Sequence, residues 1–305
     1  MKYPLVSVII PNYNHARYLK QRLDSVFNQT YQNFEVIILD DCSTDNSLEV
    51  IDQYKDNPHL SRIVVNETNS GSPFKQWNKG FSLAKGELIW IAESDDYCEL
   101  NMLEELVSAL VDKDCVLVFS SYILFSDEGD SYVPPVHGTQ YFTGKSFVSK
   151  WMTLECVVKN ASGAIFQRKA LSQLSNDYMN FRQCGDYLFW TMVAEQGRVA
   201  FVNKNLTYYR IHGTSYTNGN VNSGVSAKED KKVFDYIDNR YHLSWFDKQL
   251  ALASRYKVYN GFRFDSEIVK ENVFSEWGMG SRNERIDNAF LWLHAKMRVH
   301  FGVLI

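Results

Sequence analysis

The 305-residue chain has no run of basic residues, and its formal net charge is −4, with 32 Lys and Arg against 36 Asp and Glu. A groove that tracks nucleic-acid phosphates needs clustered cations, so no nucleic-acid partner is expected. No apolar stretch reaches the roughly 18 residues that a membrane-spanning helix requires. The longest, 115–125, is broken by Ser120 and Ser121 and reads as a buried strand. The cysteines are few and odd in number (Cys42, Cys98, Cys115, Cys156, Cys184) and lack metal-ligand spacing. That usage fits a reducing compartment rather than a disulfide framework. A secretory leader is not expected, since a strand pattern begins within five residues of Met1. A cytoplasmic location is the expectation. Two phosphate-binding motifs are also missing. No Gly-x-Gly-x-x-Gly follows the first strand pattern, which argues against a dinucleotide-dependent oxidoreductase. No Gly-x4-Gly-Lys-Ser/Thr occurs, which argues against a P-loop ATPase.

What is present is apolar and aromatic. Hydrophobic residues make up 45% of the chain, enough for a sizeable core, and there are 18 Tyr, 19 Phe and 7 Trp. Such rings pack cores and also form surfaces on which sugars stack. Residues 1–100 alternate strand and helix patterns. Apolar, β-branched runs at 6–14 and 35–45 read as buried parallel strands, and Ile63-Val64-Val65 and 88–92 as two further strands. Between them, helices are predicted over about 15–29, after Asp45, and over 73–85 with Ser72 as N-cap and Gly86 as the stop. Asn101 and Glu104 resemble a capping box for a helix to about 112. This βαβαβαβ order predicts an α/β fold with a doubly wound, mostly parallel sheet flanked by helices. Further on, a strand is predicted at 115–125, a loop-like flap over 126–145 and a strand at 162–167. A helix is predicted from Asp186, then short strands near 199–203 and 206–211, a loop over 213–226 and helices beyond.

The chemistry concentrates at strand ends. The 88–92 strand runs into Glu93, Asp95 and Asp96, and the 35–40 strand into Asp40 and Asp41. Clustered carboxylates repel one another and persist mainly where a cation compensates. Hard Mg²⁺ or Mn²⁺ fits oxygen ligands of this kind and commonly binds substrate phosphates as well. In open α/β sheets, ligands bind outside the carboxyl ends of the strands.

The ordered set of motifs is specific. Val-Ser-Val-Ile-Ile-Pro-x-Tyr-Asn stands at 6–14, Asp-Asp-x-Ser-x-Asp at 40–45, and Asn-x-Gly at 69–71 and again at 78–80. Gly-Glu-Leu-Ile-Trp-Ile-Ala-Glu-Ser-Asp-Asp follows at 86–96, then Cys184-Gly185-Asp186-Tyr187 and Tyr209-Arg210-Ile211-His212. Over about the first 215 residues, the chain resembles a family-2 glycosyltransferase of the GT-A type. The resemblance implies a GT-A catalytic domain over 1–215, with a nucleotide-sugar half at 1–100 and an acceptor half at 101–215. A loop and a helical C-terminal extension would occupy 216–305.

It further implies an inverting, metal-dependent enzyme. A sugar would pass from a nucleotide-diphosphate donor, with UDP the expected nucleotide, to a glycan or lipid-linked glycan in surface polysaccharide synthesis. Pro11, Tyr13, Asn14, Asp41, Asn69, Lys75, Asn78, Glu93 and Ser94 would line the nucleotide site. Asp95 and His212 would serve Mn²⁺ or Mg²⁺, and Asp186 would be the catalytic base. The competing reading of Asp186, at a helix start, is an N-cap, but motif order and the need for a base favour catalysis. Asp96 is read as support for its loop.

The chain departs from the family pattern at Glu93, where aspartate is usual, and at Gln76-Trp77-Asn78-Lys79-Gly80, where Ala-Arg-Asn-x-Gly is usual. The missing arginine would be replaced by Lys75 or Lys79. The proline commonly found after the acidic motif is also absent, with Glu99-Leu100 near its place. A processive synthase is disfavoured by the missing spans and the missing Gln-x-x-Arg-Trp. A nucleotidyltransferase would want a basic Gly-rich loop where Asn12-Tyr13-Asn14-His15 stands. A non-catalytic sugar-nucleotide-binding protein is the remaining alternative.

At the C-terminus, Phe290, Leu293, Met297, Phe301 and Leu304 fall on one helical stripe beside Arg285, Lys296 and Arg298. Two readings are open: peripheral contact with the cytoplasmic membrane face, or packing on the domain or on a second copy in a homodimer.

Overall fold

The computed structural model describes residues 3–126, 129–131, 138–211, 221–279, 287–289 and 291. They form two compact units that alternate along the chain. The first draws on 1–142, 158–175 and 196–212, the second on 143–157, 176–195 and 213–305.

The first unit is built on one sheet. Its leading strands are β1 (Val6–Asn12), β2 (Phe34–Asp40), β3 (Leu60–Val65) and β4 (Leu88–Ile91). After β5 (Tyr97–Cys98) come β6 (Cys115–Ser126), β7 (Gly129–Ser131), β8 (Thr139–Thr143), β9 (Ala164–Gln167) and β10 (Arg198–Arg210). The order is β3-β2-β1-β4-β9-β6-β10-β5, with β7 on β6 and β8 on β10. Strands β1 to β4 run parallel, with Val8 opposite Val36 and Trp90. β9 is antiparallel to both neighbours, and β6 and β10 are parallel to each other. The sheet is therefore mostly parallel, with an antiparallel strand at its centre.

Both faces are covered, which is why β1, β2 and β4 are apolar at nearly every position. Val8 and Ile10 join Leu19, Leu23 and Val26 of α1 (Ala16–Phe27) and Leu103, Leu106 and Leu110 of α4 (Met102–Lys113) in the main core. Ile9 points the other way, where α3 (Pro73–Leu83) lies so close that a Cβ on Gly80 would collide with its side chain. The short α2 (Ser47–Asp52) packs Ile51 into the main core.

The second unit is helical: α5 (Gly144–Phe147), α6 (Gly185–Ala194), α7 (Val225–Tyr241), α8 (Trp245–Asn260) and α9 (Glu267–Glu276). Phe189, Trp190, Val233, Ile237, Val273 and Trp277 are buried there. No helix among the described residues is long and apolar enough to cross a membrane.

Several local expectations are corrected. Asn101 is the N-cap of α4 but makes no side-chain cap bond, and Glu104 instead accepts from Thr30 Oγ1 at 2.7 Å. Helix α3 stops at Leu83 rather than at Gly86. Gly86 serves a close approach: a Cβ there would lie 2.6 Å from both Leu5 O and Ser7 N. The two short strands near 199–211 are one strand, β10, whose register slips around Asn205. The flap contains β7 and β8, and 221–226 is largely helical rather than loop. The C-terminal stripe from Phe290 to Leu304 lies outside the described residues.

Candidate functional site

Because β1 to β4 are parallel, their carboxyl ends share one edge of the sheet. Asn12 and Asp40 close β1 and β2 side by side. Asn12 Nδ2 donates to Asp40 Oδ2 at 2.7 Å, and Ser43 N donates to Asp40 Oδ1 at 2.8 Å. Asp40 is fully buried, so its charge is spent on holding this turn. Asn14 adopts φ 56°, which asparagine tolerates better than most residues. Its side-chain oxygen accepts Thr44 N at 2.7 Å, which pins the two loops together. Pro11 lies beside Leu39 in register, and the ring of Tyr13 is 45% exposed at the same edge.

Asp41 is the hub of the next loop. Its carboxylate accepts from Asn66 Nδ2 (2.6 Å), Ser70 N (2.9 Å), Ser70 Oγ (2.7 Å) and Gln76 Nε2 (2.8 Å). Asn69 Nδ2 donates to the Asp41 carbonyl at 3.0 Å, and Lys75 Nζ to Ser70 O at 3.0 Å. Pro11, Tyr13, Asn14, Asp41, Asn69 and Lys75 thus gather on one edge. Asn78 is apart: with Pro4, Phe81, Glu87 and Leu88 it lines a cavity of about 900 Å³ at the amino ends of the strands.

The loop after β4 carries the carboxylates, and its geometry is dictated by a buried arginine. Arg22 is fully buried on α1. It donates through Nε to Glu93 O at 2.8 Å and through Nη2 to Ser162 Oγ at 2.9 Å, and it stands 3.8 Å from Asp96 Oδ2. Asp96 also accepts Asn160 Nδ2 (2.9 Å), Ser162 Oγ (2.8 Å) and Arg210 N (2.9 Å). Asp96 is occupied in supporting the loop. Arg210 Nε holds the Asp95 carbonyl at 2.8 Å, and Ser94 Oγ meets His15 Nδ1 at 2.8 Å. Two of the departures from the family pattern meet here, since Trp77 Nε1 donates to Glu93 Oε1 at 2.9 Å.

The carboxylates disturb one another. Burial pushes the Glu93 carboxyl up to about 8, the Asp95 charge adds to the rise, and the Trp77 N–H opposes it. Burial and Asp95 raise Asp96 as well, against the pull of Arg22. A divalent cation at Asp95 would relieve this repulsion, so the oxygen donors fit Mg²⁺ or Mn²⁺. No three His, Cys, Asp or Glu side chains among the described residues converge as a complete metal cage. A cation that shares its coordination with substrate phosphates does not require one. His212 lies outside the described residues.

Asp186 belongs to the second unit. It is not the N-cap of α6; that position is Cys184, which makes no side-chain cap bond. Asp186 stands in the first turn, where Oδ1 accepts Tyr187 N at 2.7 Å. The sequence reading missed Arg22, Asn160 and Ser162. Arg22 had a signal: it is a charged residue inside the apolar stripe of α1, flanked by Leu19, Leu23 and Val26.

A family model described as glycosyl transferase family 2 matches residues 7–175. Glycosyltransferase GlyG of Streptococcus pneumoniae is 31% identical over 68% of this chain and 70% of its own length. TarS of Staphylococcus aureus, a poly(ribitol-phosphate) β-N-acetylglucosaminyltransferase, is 37% identical over 35% of this chain and 19% of its own. Its 1–349 structure with UDP-GlcNAc superposes with TM-score 0.59 at 20% identity, covering 89% of this chain and 71% of that one. The mannosyltransferase PcManGT of Pyrobaculum calidifontis, in complex with GDP-Man and Mn²⁺, gives TM-score 0.58 at 16% identity. It covers 98% of this chain and 81% of that one. Both structures share the fold of this chain.

Proposed function

The chain belongs to glycosyl transferase family 2, and from that premise we propose that it moves a sugar from a nucleoside-diphosphate donor to a glycan or lipid-linked glycan acceptor, with inversion at the anomeric carbon. UDP is the expected nucleotide, and synthesis of a surface polysaccharide is the expected setting. The observation that carries the reading is the carboxylate loop Glu93–Asp96 at the carboxyl end of β4. Arg22 and Arg210 grip its backbone beside three more parallel strand ends. The UDP-GlcNAc and GDP-Man named for TarS and PcManGT support a nucleotide-sugar donor.

In this reading Pro11, Tyr13 and Asp41 enclose the base. Tyr13 offers an exposed ring for stacking. Asp41 fixes the surrounding loops through Asn66, Ser70 and Gln76, and a base N–H would take the place of one of these donors on the same oxygens. Asn14, Asn69 and Lys75 hold those loops from their own side. Asp95, together with His212, would hold Mn²⁺ or Mg²⁺, and Glu93, fixed by Trp77, would stand beside the donor. The bound ion would offset the charge of the departing diphosphate. Asp186 would take the proton of the acceptor hydroxyl as its oxygen attacks the anomeric carbon. The bond from that carbon to the diphosphate oxygen breaks in the same displacement, and the configuration inverts.

The test is nucleoside-diphosphate release from a panel of UDP- and GDP-sugars with Mn²⁺, without acceptor, by wild type and Asp186→Asn. Slow release by wild type and a loss of about 10²–10⁴ in the variant are expected. Failure of wild type to release nucleotide from any donor while binding it would favour a non-catalytic binding protein.

A further inference from the structure

Asp186 sits in the first turn of α6, and the chain that leads into this turn is held from another helix. Glu229 lies on α7 and is 7% exposed. Its Oε1 accepts Arg182 N at 2.8 Å, and its Oε2 accepts Gln183 N at 2.7 Å and Cys184 N at 3.0 Å. One carboxylate thus gathers three consecutive backbone amides that end at the N-cap of α6. Cys184 supplies no side-chain cap, and Glu229 instead fixes the chain leading into the helix, the last of its three amides being that of the N-cap residue itself.

The neighbouring carboxylate fixes the other side of Asp186. Asp230 pairs with Arg255 through two contacts, 2.9 Å to Nε and 2.8 Å to Nη2. Arg255 is 2% exposed, and its Nη2 reaches Tyr187 OH at 3.4 Å while Nη1 donates to Thr153 O at 2.8 Å. The Tyr187 hydroxyl also donates to Met152 O. Asp186 is therefore bracketed: the amides at 182–184 are fixed by Glu229, and the side chain at 187 by the Arg255–Asp230 pair.

Burying a carboxylate costs stability that an apolar side chain would not, so its use here needs a geometric reason. The three amides divide between two oxygens, which a carboxylate offers on one side chain and a hydroxyl or a carboxamide does not. We propose that Glu229 is a positioning residue for the transfer step, holding the 182–184 lead-in so that Asp186 meets the acceptor proton. The proposal rests on Asp186 being the base. It gives the C-terminal extension a part in the reaction through Asp186, since α7 lies after the last family motif.

The test uses the full chain as wild type, Glu229→Gln, Glu229→Asp, Asp186→Asn and the Glu229→Gln/Asp186→Asn double variant. Nucleotide release is followed with UDP-N-acetylglucosamine and the common UDP- and GDP-sugars, and amide hydrogen exchange is read over 182–187. Glu229→Gln should lower kcat by on the order of 10²-fold, the scale of an ångström of misplacement, with donor KM within about twofold of wild type. Exchange over 182–184 should accelerate. Glu229→Asp, which keeps the charge but shortens the reach, should fall between, and it serves if the Gln variant does not fold. In the Asp186→Asn background, Glu229→Gln should add nothing, because a residue that acts through Asp186 has nothing left to position. Unchanged kcat with accelerated exchange, or full additivity in the double variant, would overturn the proposal. Wild-type turnover by Asp186→Asn would overturn the base assignment itself, and the exchange data would still report whether Glu229 holds the loop.

Discussion

Replacing Arg22 with Met tests whether one buried cation organises the carboxylate loop. The substitution keeps much of the side-chain volume but removes the donors to Glu93 O and Ser162 Oγ and the positive charge 3.8 Å from Asp96. Asp96 is 2% exposed and remains buried beside Asp95 without its paired cation. Removing one partner of such a buried pair costs about 3–5 kcal/mol. At roughly 2–4 °C per kcal/mol for a domain of this size, the melting midpoint should drop by about 6–20 °C. The cost should also depend on pH. Burial and Asp95 already raise the Asp96 carboxyl above its unfolded value, and losing Arg22 raises it further. A carboxyl raised by folding has its stability contribution present at low pH and lost as pH rises through the folded value. The deficit of Arg22→Met should therefore be larger at pH 7.5 than at pH 5. Adding Asp96→Asn should recover part of it, because the uncompensated charge is gone. Denaturant melts of the two single variants and the double variant at both pH values measure this. A deficit below about 1 kcal/mol, or strict additivity in the cycle, would refute the reasoning.

Other outcomes follow from individual contacts. Trp77→Phe removes the N–H that holds Glu93 down, so Glu93 should protonate more readily. Mn²⁺-linked UDP affinity should then weaken at pH 7 and recover toward pH 9, as titration calorimetry would show; a pH-independent effect would contradict this. Gly80→Ala places a methyl against Ile9 and should cost about 1–3 kcal/mol by overpacking, read from a denaturant melt. Asp41→Asn sets an NH₂ group against the donors Asn66, Ser70 and Gln76. The loss should be about 1–3 kcal/mol, with faster amide exchange at Ser70.

The leading half of the sheet was legible because its signals are local. Buried parallel strands are apolar at nearly every position, as β1, β2 and β4 are, and each ends in polar residues within the next few positions. The motif residues Pro11, Tyr13, Asn14, Asp41 and Asn69 consequently share an edge. What the sequence did not reveal is set by packing between distant segments. β9 enters the sheet antiparallel after a long excursion, and no pattern within Ala164–Gln167 states its direction. Arg22 looked like a polar break in an amphipathic helix, because its partners Glu93 and Ser162 lie far along the chain. The Trp77–Glu93 contact joins two departures that appear independent in sequence. The alternative N-cap reading of Asp186 lapses because Cys184 takes that position, while Glu229 grips the backbone before it from another helix.

The central claim is that the carboxylate loop binds a nucleoside diphosphate through a divalent cation. Calorimetry of UDP and GDP with and without Mn²⁺, on wild type and Asp95→Ala, tests it most directly. One of the two nucleotides should bind wild type on the order of tenfold more tightly with Mn²⁺, and this gain should vanish in Asp95→Ala while Mn²⁺-free binding persists. Equal metal-linked binding in the two proteins, or no binding of either nucleotide by folded wild type, would contradict it.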